Sequence, residues 1–322
     1  MTANPEYRLF DLGTNPELTE AIAKKLKTPV SPVEIQTFAD NEIYERIVDS
    51  VRGIDVYVIQ PISEPVNDNF IKLMIFIDAA KRTSAKSINV IIPYLGYARS
   101  DRKTRSREPI VARLLADLME DQGIRRVMTM DLHTSQVQGF FDIPVDHLIA
   151  MPVQAKYYED RGLTGSDVVV VASGSSTLKL VQRLAEVLDA QWAIVDQDRD
   201  PRVKATVTGK VADKHAIILA DIIDTGETMI KAADAVKAAG AKSIDALATH
   251  GVLSGHAASD LQESVIDHVV LTDTVPIPAE KHFDKLEVVS VAGLFAEAIG
   301  QVIAQKSMAK VLMSPDQREE LS

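Results

Sequence analysis

Four short stretches carry residue types able to bind or move phosphate. In LADIIDTGET, Leu219 to Thr228, an apolar run leads into Asp221, Asp224, Thr225, Gly226, Glu227 and Thr228 before the spacing turns helical. A strand ending in such a turn aims backbone amides and a hydroxyl at an anion on a helix N-terminus. An ordinary strand-to-helix turn capped by Asp224 or Thr225 would carry the same residues. RSDRKTRSR sets Arg99, Arg102, Lys103, Arg105 and Arg107 against a single acid, Asp101. Arginine's planar fork of donors matches phosphate oxygens, and a solvated loop that only aids solubility has the same composition. FADNE closes a strand at Phe38 and puts Asp40, Asn41 and Glu42 in a turn, which alone is unremarkable. MDLHTSQVQGFFD sets His133 just past a strand end beside Asp131, where it suits either a metal ligand or a structural histidine.

These residues need a scaffold, and the pattern supplies one. Short β-rich runs (RLFD, VEIQTF, DVYVIQ, SINVIIP, RVMTMD) alternate with helical spacing over Pro16–Lys27, Val66–Arg82 and Pro109–Asp121. The second half repeats the alternation: DVVVVA, WAIVDQ, HAIILAD, SIDALATH and HVVL lie between helices over Thr177–Asp189, Glu227–Ala239 and Val291–Ala304. This is the α/β signature and predicts two doubly wound, mainly parallel sheets. We place one domain over 1–150 and a second over 151–312, with the helix at about 291–312 able to pack back on the first and a frayed tail over 313–322. The basic stretch follows SINVIIP and so leaves the carboxyl end of a strand, where open α/β sheets bind ligands.

At 322 residues and 46% hydrophobic, the chain can bury substantial cores. No cysteine occurs, which excludes disulfides and thiolate catalysis. With no secretory-type leader and no apolar run of membrane-spanning length, the expected compartment is the cytoplasm, with no membrane partner. A formal net charge of −11 argues against nucleic acid or acidic membranes as partners, so an anionic ligand needs a local basic site.

Taken in order, FADNEIYERI, SVRGIDVYVIQ, PVNDNFIKLMIFIDAAKR, INVIIPYLGYARSDRKTRSREPI, MDLHTSQVQGFFDIPVDHL, DIIDTGET and THGVLSG closely resemble the ribose-phosphate pyrophosphokinases, from about Leu9 to Leu312. The resemblance implies two phosphoribosyltransferase-like domains in a homo-oligomer built towards a hexamer. It implies that Mg2+-ATP gives its diphosphoryl group to the 1-hydroxyl of ribose 5-phosphate, yielding phosphoribosyl diphosphate (PRPP) and AMP for nucleotide biosynthesis. By the same resemblance, Asp40, Asn41 and Glu42 serve the ATP site across a subunit contact with Phe38 beside adenine, while Arg99, Ser100 and Asp101 hold ATP from within the subunit. His133 becomes a Mg2+ ligand. Arg199 and Asp221 bind ribose 5-phosphate, whose phosphate is wrapped by Asp224, Thr225, Gly226, Glu227 and Thr228. Ser50, Arg52 and Arg105 fall where ADP or phosphate regulates.

The departures from the family pattern gather in the second half. Gly174 stands where a Pro-Asp pair normally supplies a second metal ligand, and glycine has no side-chain oxygen for a hard cation. After WAIVD the expected Lys-Arg-Arg reads Gln197, Asp198, Arg199, so the catalytic lysine is absent. Removing one donor aimed at developing charge typically costs about 3 to 4 kcal/mol. A like charge at about 4 Å adds roughly 4 kcal/mol at an effective dielectric of 20. Ala220 replaces the first of two ribose-binding acids, and Glu227 occupies a position that is often small. Three readings follow: a PRPP-making enzyme with a weakened site; a non-catalytic subunit that joins or regulates an active paralogue; and a phosphoribosyltransferase that consumes PRPP. The last has no need of FADNE or RSDRKTRSREP.

Overall fold

The computed structural model describes residues 7–196 and 205–312. The described residues form two compact units, one of residues 7–149 with 274–276 and 291–312, the other of 150–196, 205–273 and 277–290.

The first unit runs β1 (Tyr7–Asp11), α1 (Pro16–Leu26), β2 (Val30–Ser31), β3 (Val33–Thr37), β4 (Ile43–Ile47), β5 (Asp55–Ile59), α2 (Val66–Arg82), β6 (Ser87–Ile92), α3 (Val111–Asp121), β7 (Arg126–Met130) and β8 (Val145–Leu148). Its main sheet has the order β2-β1-β5-β6-β7-β8 and is parallel throughout. Near-continuous apolar strands such as SINVII fit this arrangement, because a parallel sheet is covered on both faces. Helix α1 shows how local chemistry sets an element's ends. The side chain of Asn15 accepts from Leu18 N at 3.3 Å, Pro16 opens the first turn, and Lys24 and Lys25 meet the negative end of the dipole. IYERI is not merely the exit from a turn: it pairs antiparallel with β3 as a separate hairpin lying on α2.

The second unit runs α4 (Met151–Glu159), β9 (Val168–Ala172), α5 (Leu178–Val187), β10 (Gln191–Asp196), β11 (Thr206–Thr208), β12 (His215–Ile223), α6 (Glu227–Ala238), β13 (Ser243–Gly251), α7 (Ala257–Glu263), β14 (His268–Thr272) and β15 (Leu286–Val289). The sheet order is β11-β10-β9-β12-β13-β14-β15, parallel except where β11 runs back along β10. The chain then returns to the first unit as α8 (Ala292–Ile303), packed on α1, and α9 (Ala309–Leu312). Two helix starts differ from the sequence pattern. Helix α3 begins at Val111 rather than Pro109, and α5 is preceded by a single 3-10 turn over Ser175–Thr177.

Both sheets present loops at their strands' carboxyl ends, and two glycines there differ sharply in the space around them. A Cβ on Gly96 would overlap the carbonyl oxygen of Ile62, a backbone atom unable to yield. Gly174 has extended backbone, φ 176°, and a Cβ there would meet nothing within 4 Å. Gly96→Ala is therefore expected to cost about 1–3 kcal/mol by overpacking. Gly174→Ala should stay within about 0.5 kcal/mol of the parent. Denaturant unfolding of the two variants checks this, and equal losses would contradict it.

Candidate functional site

The turn that ends β12 is held from behind. Val252 N and Leu253 N both donate to Ile223 O, at 2.9 and 3.2 Å, and Ser254 N donates to Asp224 O at 2.9 Å. A trans peptide points its carbonyl and its N–H in opposite directions. Fixing those two carbonyls therefore turns the N–H groups of Asp224 and Thr225 away from the 252–254 segment. Gly226 follows at φ 81°, a left-handed conformation that suits glycine, and α6 starts at Glu227. Asp221 and Asp224 are half-buried, and Thr225 and Thr228 are exposed. Glu227 points outward: its carboxylate is solvent-exposed and lies 3.8 Å from Lys231 one turn along. Its side chain is therefore directed along the helix rather than back over the turn.

The two missing acids sit in unlike surroundings. Gly174 opens onto free space. Ala220 is only 9% exposed, lies opposite Ala248 in the sheet register, and packs in the apolar layer with Ile218 and Ala216. Strand alternation puts Asp221 on the other face. A carboxylate at 220 would thus enter a hydrophobic layer, whereas one at 174 would not. Gln197, Asp198 and Arg199 lie outside the described residues.

In the first unit, Arg99 and Ser100 line a cavity of about 630 Å³ together with Tyr94, Gly96, Tyr97 and Arg102. Asp101 and Arg105 are not among its lining residues. Instead Asp101 Oδ2 accepts from Thr134 Oγ1 at 2.6 Å, which ties the basic loop to the loop carrying His133. The basic loop is organised by Glu108, whose Oε2 accepts from Arg105 N, Thr104 N and Thr104 Oγ1 at 2.8 to 2.9 Å. These bonds, the Arg105 and Thr104 amides first, hold its carboxyl below the usual range. Tyr97 adopts φ 64° at the cavity mouth, local strain of the kind that collects at functional loops. His133 is exposed. Its loop is set by a residue the sequence motif did not single out, His147, whose Nε2 accepts from Leu132 N at 2.9 Å. Burial lowers the His147 pKa, which keeps that nitrogen unprotonated and able to accept.

Phe38, Asp40, Asn41 and Glu42 form the exposed tip of the β3–β4 hairpin. Phe38 N donates to Glu42 O at 2.8 Å, Glu42 N to Asp40 Oδ1 at 3.1 Å, and Asn41 takes φ 69°. Phe38 is 44% exposed, its ring 6.5 Å from that of Tyr44. Ser50 and Arg52 are exposed on the segment after the hairpin, where Arg52 N approaches Ser50 Oγ at 3.5 Å.

A model of the N-terminal domain of ribose phosphate pyrophosphokinase matches residues 7–123, and one of the phosphoribosyl synthetase-associated domain matches residues 168–313. The ribose-phosphate pyrophosphokinase of Caldanaerobacter subterraneus is 48% identical over 307 residues, 94% of this chain and 97% of that one. That of Fusobacterium nucleatum is 44% identical over 307 residues, with the same coverage. The crystal structure of phosphoribosylpyrophosphate synthetase from Mycobacterium smegmatis aligns with a TM-score of 0.88 at 39% identity, covering 94% of this chain and all of that one.

The hairpin's attachment to α2 has an unusual member. Glu45 is 9% exposed, and neither carboxylate oxygen has a hydrogen-bond partner. Burial pushes its pKa up to about 8 against the opposing pull of Lys72 on α2. Glu34 and Arg46 pair with each other at 2.6 Å on the hairpin's other face. Between its ordinary value of 4.5 and about 8, Glu45 holds its proton in the folded chain and loses it in the unfolded one. Its contribution to stability therefore falls as pH rises through that window. Glu45→Gln should match the parent near about pH 5 and exceed its stability by at least about 1 kcal/mol near about pH 8.5. Urea unfolding at the two values checks this; parallel pH profiles would contradict it.

Proposed function

The chain belongs to the ribose-phosphate pyrophosphokinase family, and from that premise we propose that it binds Mg2+-ATP and ribose 5-phosphate and transfers the diphosphoryl group between them with a weakened catalytic step. In this reaction the 1-hydroxyl oxygen of ribose 5-phosphate bonds to the β-phosphorus of ATP. The bond from that phosphorus to the α,β-bridging oxygen breaks, AMP leaves with the electron pair, and the hydroxyl proton is released.

The observation that carries the binding half is the braced turn, with the carbonyls of Ile223 and Asp224 both occupied and their neighbouring N–H groups turned the other way. In this reading Asp224 to Thr228 hold the 5-phosphate, and Asp221 faces the ribose hydroxyls. Arg99 and Ser100 hold the triphosphate from the cavity they line, while Asp101 keeps the basic loop in register through Thr134. Phe38, Asp40, Asn41 and Glu42 present an aromatic face and carboxylates to an adenine nucleotide, from a hairpin tip that protrudes enough to serve a neighbouring copy in an oligomer. Ser50, Arg52 and Arg105 offer an exposed basic surface for ADP or phosphate.

Magnesium is best assigned to the nucleotide. Among the described residues no group of three or more His, Asp or Glu is placed to hold a metal. Gly174 adds no oxygen, and His133 alone offers one nitrogen to a cation that prefers oxygen. Triphosphate oxygens are the ligands this small, hard cation prefers, so in this reading the ion enters with ATP as part of the substrate.

The weakened step follows from what meets the developing charge. Gln197 and Asp198 replace two cations with one neutral and one negative group, so the leaving oxygen and the transferring group lose their expected stabilisation. The same substitutions favour a second reading, in which the chain joins an active paralogue and modulates it without turnover of its own. No described helix is long and apolar enough to cross a membrane, and the catalytic partners invoked are all soluble metabolites, which suits a cytoplasmic setting.

Purified protein with Mg2+, ATP and ribose 5-phosphate is expected to release AMP and PRPP slowly. The repair Gly174→Asp with Gln197→Lys and Asp198→Arg should raise turnover at least about a hundredfold, far more than any one change, because the groups act together. Ala220→Asp should not improve it further, because its carboxylate enters the apolar layer. Turnover by the parent equal to that of the repaired protein would contradict the weakened site. Absence of product from both, with a changed rate of an added active paralogue, would select the second reading.

A further inference from the structure

Behind the phosphate turn lies a cation that neither the motif nor the missing lysine pointed to. Lys281 ends a single 3-10 turn, Ala279–Lys281, and is half-buried. Its Nζ donates to Val252 O at 3.2 Å. The same peptide unit presents Leu253 N to Ile223 O at 3.2 Å, and the Ile223 peptide unit in turn carries the N–H of Asp224. Two peptide groups therefore lie in series between an ammonium and the first amide of the turn. Each hydrogen bond in such a chain polarises the next, so a positive charge at one end makes the terminal N–H a stronger donor.

The backbone is shaped for this connection. Leu253 adopts φ 50°, a left-handed conformation that is costly for a residue with a side chain, yet it is fully packed at 1% exposure. That conformation lets the successive amides of Val252 and Leu253 converge on one oxygen, Ile223 O, as a small anion-type nest gripping a carbonyl. The packing around Leu253 holds that conformation, and with it the two donors, in place.

We propose that Lys281 is a positioning residue for phosphate binding: through the Val252 and Ile223 peptide units it orients and polarises the Asp224 N–H toward the phosphate of a sugar phosphate. The proposal rests on the reading of Asp224–Thr228 as the ribose 5-phosphate turn. Lys281 itself touches no substrate in this scheme. Lys285 provides an internal comparison, since its Nζ also donates to a backbone carbonyl, Ser264 O at 2.8 Å, away from the turn.

The test is calorimetric titration of ribose 5-phosphate into the full chain and into Lys281→Met, Lys281→Arg, Lys281→Gln and Lys285→Met, with amide hydrogen exchange on each. Lys281→Met should bind about five- to tenfold more weakly, Lys281→Arg should be restored to within about twofold, and Lys285→Met should be unchanged. Lys281→Gln, which keeps a donor without charge, should fall between them and serves if the methionine variant does not fold. Exchange at the Leu253 amide, which donates to Ile223 O, should accelerate in Lys281→Met and return to the parent rate in Lys281→Arg, while affinity for Mg2+-ATP stays constant. Equal ribose 5-phosphate affinity in the parent and both uncharged variants overturns the proposal. If the parent itself does not bind ribose 5-phosphate, the functional reading fails, and the exchange data then decide separately: no acceleration at the Leu253 amide overturns the role of Lys281.

Discussion

The planarity of two peptide units governs where the turn after β12 aims its amides. Because carbonyl and N–H oppose one another across each unit, fixing Ile223 O and Asp224 O from the 252–254 segment fixes where the Asp224 and Thr225 amides point. That segment is available only because β13 lies beside β12 in parallel register, Ile223 opposite Gly251. The crossover helix α6, the left-handed Gly226 and the buried alternation of β12 all serve this one juxtaposition. A turn set by backbone bonds survives side-chain substitution, so its geometry persists although Gly174 and Ala220 replace the family's acids.

The same logic separates binding from chemistry. Backbone amides, a hydroxyl and a helix N-terminus recognise phosphate whatever happens to it afterwards. Diphosphoryl transfer asks for charge placed where the transition state develops it, and that demand falls on individual side chains. The first unit keeps its basic loop, its cavity and its hairpin, while the second keeps the turn and lacks the charged groups. Family membership therefore states the fold and the ligand class of this chain more firmly than it states its rate.

Much of this was legible in the sequence. Strands with full apolar runs, VVVVA and SINVII, could only be covered on both faces, which gave the parallel sheets. Proline and asparagine at the start of α1 and Gly226 before α6 marked turns whose chemistry is local. What escaped was non-local. The pattern of strands and helices passes over IYERI, and Glu45 within it is buried because α2 covers that face, a contact with no signature in five residues. His147 and Glu108 organise loops through backbone amides, bonds that any polar residue at the right place could make. Lys281 lies more than fifty positions from the turn that it braces and belongs to no recognisable motif. Ala220 and Gly174 looked equivalent as lost acids, and only their surroundings distinguish a packed methyl from an open position.

The most direct measurement is a nuclear magnetic resonance titration of the isotopically labelled chain with ribose 5-phosphate and Mg2+-ATP, following the turn amides and the phosphorus signals in one sample. Saturable shifts of the Asp224, Thr225 and Gly226 amides with ribose 5-phosphate but not with ribose, accompanied by slow growth of AMP, are predicted. Turn amides that do not respond to the sugar phosphate, or conversion too fast for the titration to be recorded, would contradict a site that binds better than it turns over.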